Sequence, residues 1–360
     1  MSMVRDYPVM TSSPQFSTPG GLFANIPGIL GFYPHDSVVF LAFSPRKPGG
    51  YILGPTLRID CALLHSDHGR ETCESIMDHL DEINVEMVIA LVLSRNAALR
   101  NKTSKKLSDL RQELTNCHKI EACFEATEIC TEELFWLAWT ASEIITPSEW
   151  GSGRMSSVVA APSMAALIKE GTLPELDRDS AYQFFDYGNP FWDDGDLVEI
   201  QNEVREHYYN KVKILESGVD VEVASALKRK YSRQIRKYGD FVQQFTAEDI
   251  MSRRDLLVDA ASFMSSVMSR DAFLSFAVER GSEAMKIMIA VARSFEGTIR
   301  ANALCCYAVG ALAVGLGMRI QPAVAAALME EPEHNLARLI LEAACYGQYQ
   351  HILEAAGNKG

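Results

Sequence analysis

No glycine-rich phosphate loop, dinucleotide fingerprint, G-x-S-x-G elbow or H-E-x-x-H helix occurs in the sequence. The commonest nucleotide-binding, esterase and zinc-protease types are therefore not indicated. The eight cysteines include no C-x-x-C pair, so neither a zinc knuckle nor a thioredoxin-like centre is expected. Buried, unlinked thiols in a reducing cytoplasm are the economical reading. Basic charge is in deficit: 34 Lys and Arg against 47 Asp and Glu leave −13, which argues against a general affinity for phosphate backbones. Long apolar runs are also missing. The uncharged, strongly apolar stretch 301–318 contains Gly310, Gly315 and Gly317 and is shorter than the roughly 20 residues a spanning helix needs. The first residues are rich in Ser, Pro and Gly, lack the apolar centre of a secretory signal, and read as a flexible tail over 1–18. A soluble, cytoplasmic protein without a membrane partner is expected.

What is present is ordinary globular material. Hydrophobic residues make up 48% and charged residues 22% of 360 positions, enough for two domains with their own cores. After a short apolar helix over 21–30, residues 37–44 form a nearly continuous apolar run, as in a strand covered on both faces. Residues 51–61 read as its hairpin partner across a Pro-Gly-Gly turn at 48–50. A helix over 70–83, a strand over 87–93, a helix over 104–117 and an alternating strand over 121–129 follow, then an apolar run over 134–139, helix or strand. Strands alternating with helices predict an α/β layer domain with a mixed sheet over 19–150, holding four or five strands. Residues 151–195 read as a loop-rich connector, 196–245 as an amphipathic αα-hairpin turning at Ser217-Gly218, and 246–360 as an all-α helical bundle whose first helix spans 247–268, with Thr246 and Asp249 resembling a capping box.

Charge is patterned in that hairpin. Asp196, Glu199, Glu203 and Glu206 share one side of the first helix. On the second, Arg229, Lys230, Arg233, Arg236 and Lys237 fall within an arc of roughly 120°. A basic stripe with interleaved Tyr is a possible nucleic-acid surface. The simpler expectation is that Glu199, Glu203 and Glu206 lie along Arg229, Arg233 and Arg236. Further on, residues 301–334 have the length of one tetratricopeptide unit, with Ala308 and Ala327 at close-approach positions and Pro332 at the end. A single unit cannot make a solenoid, so a tetratricopeptide-like hairpin within the bundle is expected, with a protein partner in a groove there.

The segments GILGFYPHDSVVFLAF (28–43) and TLRIDC (56–61) resemble the N-terminal signature of the actinobacterial domain of unknown function 4192 family. RRDLLVDAASFMSSVMSRDAFLSFAVE (253–279) and GLGMRIQPAVAAALMEEPEHNLARLIL (315–341) are similar to its later helical segments, so the resemblance runs in order along nearly the whole chain. It implies an architecture and no named activity. The Cys cluster that the resemblance would place after Trp136 or Trp139 has no counterpart within 140–146.

Three groups of residues are able to carry chemistry. His35, Asp36 and Ser37 combine a proton-transferring imidazole, an orienting carboxylate and a hydroxyl. Turn and capping roles for Asp36 and Ser37 compete with that reading, and the cluster precedes a strand, whereas ligands gather beyond strand carboxyl ends. Arg58 and Asp60 share one strand face and suit an anion or sugar site, or a structural ion pair. If the two strands form a hairpin, these two groups converge. His65, Asp67 and His68 are metal-capable side chains in a polar loop, with no evident completing ligand. The sequence assigns no catalytic residue, no cofactor and no metal. Its leading functional expectation is a protein-interaction or regulatory module. The alternative is an enzyme or small-ligand binder of unfamiliar type, with its site at His35, Asp36, Ser37, Arg58 and Asp60. Nucleic-acid binding through 229–237 stands third.

Overall fold

An uncharged strand such as residues 37–44 is stable only when both of its faces are covered. The computed structural model describes residues 18–46, 50–141, 150–212 and 221–357 and divides into two compact units, 1–178 and 179–360. In the first unit, α1 (Pro19–Phe23) and α2 (Ile26–Leu30) precede β1 (Ser37–Pro45) and β2 (Tyr51–Asp60). Gly31 closes α2 at φ 80°, a left-handed value that an L side chain adopts only with strain. Then come α3 (Cys61–Leu64), α4 (Gly69–Glu82), β3 (Met87–Leu93), α5 (Ala97–Glu113), β4 (Ile120–Ala126), β5 (Leu134–Thr140), β6 (Ser152–Arg154) and α6 (Ala165–Lys169).

The six strands form one mixed sheet in the order β2-β1-β3-β4-β5-β6. β1 is antiparallel to β2 and β3, β3 and β4 are parallel across the α5 crossover, and β5 and β6 continue antiparallel. The run over 134–139 is thus a strand, and β6 lies within the stretch read as connector. On one face, Val38, Phe40 and Ala42 of β1 join Val88, Ala90 and Val92 of β3. They pack with Cys73, Met77 and Leu80 of α4 and Leu107 and Leu110 of α5. On the other, Phe23 of α1 meets the rings of Phe124 and Phe135 edge-on, each at 5.3 Å. α5 begins at Ala97, not at 104, because Asn96 Oδ1 accepts from the N–H groups of Ala98 (3.0 Å) and Leu99 (3.2 Å).

The second unit is helical throughout its described residues. α7 (Arg178–Gln183) opens it, followed by α8 (Asp194–Val212), α9 (Val221–Val242), α10 (Ala247–Ser252) and α11 (Arg254–Ser262). α12 (Val267–Glu279), α13 (Gly281–Ser294), α14 (Gly297–Ala313), α15 (Ile320–Glu330), α16 (Asn335–Cys345) and α17 (Tyr349–Gly357) complete it. Thr246 and Asp249 form the capping box of α10. A single helix over 247–268 is not formed. Arg253 is extended (φ −110°, ψ 111°), and Ser266 starts α12 by accepting from the Ser269 N–H at 3.2 Å. α13 and α14 cross closely: a Cβ on Gly281 would sit 2.5 Å from the Gly310 carbonyl oxygen. α14 and α15 pack together with Ala308 and Ala327 buried.

The expected pairing of the acidic and basic stripes is wrong. Glu199 and Glu203 of α8 reach Arg254 of α11, at 3.7 and 2.9 Å, while Arg236 of α9 reaches Glu279 of α12 at 2.8 Å. The reason is packing: α8 lies on α11 and α9 on α12, so the two charged faces meet different neighbours. The turn at 217–218 and residues 1–17 of the expected tail lie outside the described residues. Six cysteines are buried as expected, but Cys130 and Cys345 are exposed. No helix among the described residues is long and apolar enough to cross a membrane.

Candidate functional site

β1 runs antiparallel to β3, so its first residue pairs with the last of β3, Ser37 with Leu93. The turn before β1 therefore lies at the carboxyl ends of β3 and β4. The objection that His35 and Asp36 precede a strand disappears with this topology, because the ligand-binding end of a parallel pair is defined by β3 and β4. A cleft of about 380 Å³ opens there, lined by His35, Asp36, Ser94, Arg95 and Thr127.

Asp36 is built into this end from two sides. Its φ of 42° is left-handed, a value that Asp tolerates better than most side chains. Its carbonyl accepts from the Cys61 N–H at 2.8 Å, and Oδ1 accepts from Ser94 Oγ at 2.5 Å. Ser94 is itself tied down. Its Oγ accepts from the Asn96 N–H at 3.0 Å, its N–H donates to the Ala126 carbonyl at 3.3 Å, and its own carbonyl accepts from Arg100 Nη1. His35 Nε2 lies 3.2 Å from the Leu176 carbonyl. A carbonyl only accepts, so Nε2 carries the proton and Nδ1 is left as an acceptor. Arg95 stands in solvent and pairs with Glu128 at 2.5 Å.

Arg58, Asp60 and Ser37 form a neighbouring cluster that does not line the cleft. Ser37 is paired across the ladder with Asp60, and Arg58 with Val39, so the three polar side chains share one face. Arg58 Nε donates to Ser37 Oγ at 2.8 Å, Nη2 pairs with Asp60 Oδ1 at 2.6 Å, and Nη2 also reaches the His35 carbonyl at 3.4 Å. Ser37 Oγ donates to that same carbonyl. Asp60 is further faced by Arg178 at 3.7 Å. The hairpin thus brings Arg58 and Asp60 beside His35, but the carboxylate of Asp36 bonds to Ser94 and not to Arg58. Cys61, next in the chain, is fully buried. Burial pushes its thiol up to about 11, so it stays protonated at neutral pH and is no nucleophile.

Beneath the cleft sits a buried ionic network. Glu125 of β4 accepts from Ser104 Oγ at 2.5 Å and from Trp136 Nε1 at 3.2 Å, and Arg100 Nε stands 3.7 Å from its Oε2. The Arg100 guanidinium also covers the Trp136 ring at 5.0 Å, a cation–π arrangement. Through Arg100 this network holds the Ser94 carbonyl, and through Ser94 the orientation of Asp36. In the His65–His68 loop, His65 Nε2 lies 3.0 Å from Thr103 Oγ1, and burial with Lys102 and Lys106 nearby pulls its imidazole down. His68 faces Glu71 at 3.5 Å.

Residues 19–349 match the family model described as Domain of unknown function (DUF4192). The chain belongs to that family. No curated protein and no solved structure matches it. The 28–43 and 56–61 segments, within the DUF4192 match, supply β1, most of the turn before it and the end of β2, and with them His35, Asp36, Ser37, Arg58 and Asp60. Sequence reading missed Ser94, Arg95, Thr127 and the Arg100–Glu125 network in this DUF4192 chain. One signal was available: Ser94-Arg95-Asn96 ends an apolar strand and caps a helix, the place where α/β sheets gather ligands.

Proposed function

We propose that the α/β unit binds a small polar ligand, rich in hydroxyl or amine groups, in the cleft at the carboxyl ends of β3 and β4, and that the protein is a non-catalytic regulatory module. The observation that carries this reading is the meeting of His35, Asp36, Ser94, Arg95 and Thr127 from three separate turns around one cleft. A cleft of about 380 Å³ has the size of a metabolite site, and convergent polar groups fix orientation in such sites. Asp36 and the remaining lone pair of Ser94 Oγ supply acceptors, Arg95 a donor, and the Thr127 hydroxyl serves as either. The Ser94 hydroxyl donates to a carboxylate and not to an imidazole, which favours binding over nucleophilic chemistry.

The test is untargeted mass spectrometry of small molecules that co-purify with the full chain, followed by calorimetric titration of the compound found. Asp36→Asn, which keeps the turn, is expected to weaken that compound at least tenfold with a melting temperature close to wild type. Unchanged binding by Asp36→Asn and by Thr127→Val together sinks the reading.

A second reading places a protein partner on the C-terminal helices. Met329 and Leu339 are 84% and 63% exposed there, with Tyr346 also exposed, and exposed apolar side chains of that size mark contact surfaces when they cluster. Leu339→Asp is expected to release a co-purifying protein while leaving the fold unchanged.

A further inference from the structure

α9 (Val221–Val242) buries Tyr231, Ile235, Tyr238 and Val242. At 3.6 residues per turn this leaves Arg229, Arg233 and Lys237 in one i, i+4 row on its outer side. All three are exposed, as is Lys230 beside them. No acidic residue lies between Glu222 and Asp240 in the sequence. Asp255 and Asp259 act on Tyr238, on the buried side of the helix, and other acidic side chains around this part of the unit are committed elsewhere. Arg236 holds Glu279 through both carboxylate oxygens, at 2.8 and 2.9 Å. Arg280 holds Asp240 at 2.7 Å and Glu283 at 3.1 Å, and Arg254 holds Glu203 and Glu199. Among the described residues nothing neutralises Arg229, Lys230, Arg233 or Lys237.

The next position in the same row is aromatic. Phe241 is 52% exposed, and its ring meets that of Phe245 at 5.7 Å, edge to face. The Arg253 guanidinium lies over Phe245 at 5.1 Å. From Arg229 to Phe241 the helix rises about 18 Å, at 1.5 Å per residue. The surface is therefore a line of unpaired cations that ends in an open ring.

We propose that this row binds single-stranded nucleic acid, with Arg229, Lys230, Arg233 and Lys237 against the phosphates and Phe241 stacked on a base. Phosphate contacts carry the affinity and an aromatic platform adds base stacking, which is the usual composition of a single-strand site. A duplex presents phosphates but keeps its bases stacked inside. An acidic peptide matches the cations but leaves the exposed ring without a role. The net charge of −13 opposes long-range attraction, so the contact is local and strongest at low salt.

Fluorescence anisotropy of the full chain with a labelled oligothymidylate of about 20 nucleotides tests this surface. Saturable binding is expected at about 50 mM salt, with log K falling against log salt at a slope near −3, from four phosphates at roughly −0.7 each. Arg233→Gln with Lys237→Gln is expected to halve that slope. Phe241→Ala is expected to weaken binding about tenfold at an unchanged slope, and Phe241→Trp to retain affinity. Far-ultraviolet circular dichroism of each variant should overlay wild type, since the replaced side chains are exposed. Absence of binding at low salt overturns the proposal. So does equal affinity of Phe241→Ala and wild type, which would mark a phosphate-only contact. Equal or tighter binding of a duplex or of polyglutamate also overturns it, in favour of a groove contact or an acidic protein partner.

Discussion

Ser94 Oγ and Asp36 Oδ1 stand 2.5 Å apart across 58 positions of sequence, joining the turn before β1 to the turn after β3. The bond exists because the antiparallel register sets Ser37 opposite Leu93, so the residues just outside the ladder on each strand also meet. It helps to hold Asp36 in a left-handed backbone conformation that costs about 1–2 kcal/mol in a residue other than glycine. The same bond determines which carboxylate oxygen remains available to the cleft.

Ser94→Ala removes a donor from a carboxylate and an acceptor from the Asn96 N–H at once. A loss of about 1–3 kcal/mol in urea unfolding is expected. Asp36→Asn keeps an oxygen for Ser94 and tolerates the positive φ, so it is expected to lie within about 1 kcal/mol of wild type. A larger loss for Asp36→Asn than for Ser94→Ala would contradict this account of the turn.

Arg58→Ala deletes the donors to Ser37 Oγ and Asp60. The Asp60 side chain is 47% exposed and keeps Arg178 at 3.7 Å, so no buried charge is stranded. The expected cost is therefore about 1–3 kcal/mol, below the roughly 3–5 kcal/mol of breaking a buried pair. Binding in the cleft should survive, because Arg58 does not line it. Chemical denaturation and ligand titration of the one variant check both halves.

Glu125→Ala is the contrasting case. Both Glu125 and Arg100 are buried, and removing the carboxylate leaves the guanidinium of Arg100 unpaired. A loss of about 3–5 kcal/mol is expected. Glu125→Gln retains acceptors for Ser104 and Trp136 and should lose clearly less. Both variants lack the ion pair, so equal midpoints in guanidinium unfolding would show that the acceptors offered to Ser104 and Trp136 contribute nothing.

His334, at the start of α16, makes the helical unit sensitive to acid. Its Nδ1 accepts from the Ala337 N–H at 3.2 Å, and Nε2 lies 3.0 Å from Asn302 Oδ1. Protonating Nδ1 abolishes that acceptor, and burial pulls the imidazole below its ordinary value, with Arg270 adding to the shift and Glu331 opposing it. The unfolded chain therefore binds more protons between the folded pKa and about 6.5. This contribution to stability is complete above about pH 6.5 and is lost as pH falls through the lowered folded value. His334→Asn, which still caps a helix, is expected to flatten the fall in melting temperature between about pH 6.5 and 5.

Much of this architecture was legible in the residues. The uncharged run at 37–44 could only be a strand with both faces covered, because eight such positions leave no polar side to turn to water. The Ser, Asn and Gly signals at helix ends act within one turn of chain, so Thr246 with Asp249 was readable as a cap. Local signals also misled where a competing one was overlooked. Asn96 starts α5 seven residues before the expected position, and the extended Arg253 breaks what looked like one helix.

The sequence by itself determined the class of the fold, the strand and helix content and the approach of Arg58 and Asp60 to His35. These follow from hydrophobic period, from caps and from a hairpin, all of which are short-range physics. Tertiary structure alone decided that Ser94, Arg95 and Thr127 complete the cleft, since they reach it through the order β1-β3-β4, and strand order is set by packing between distant segments. It alone decided the fate of the charged stripes as well. Opposite charges on adjacent helices attract only weakly in water, while burial of each helix's apolar side on α11 or α12 is worth far more. Apolar packing therefore chose the neighbours, and it left Arg229, Arg233 and Lys237 facing solvent.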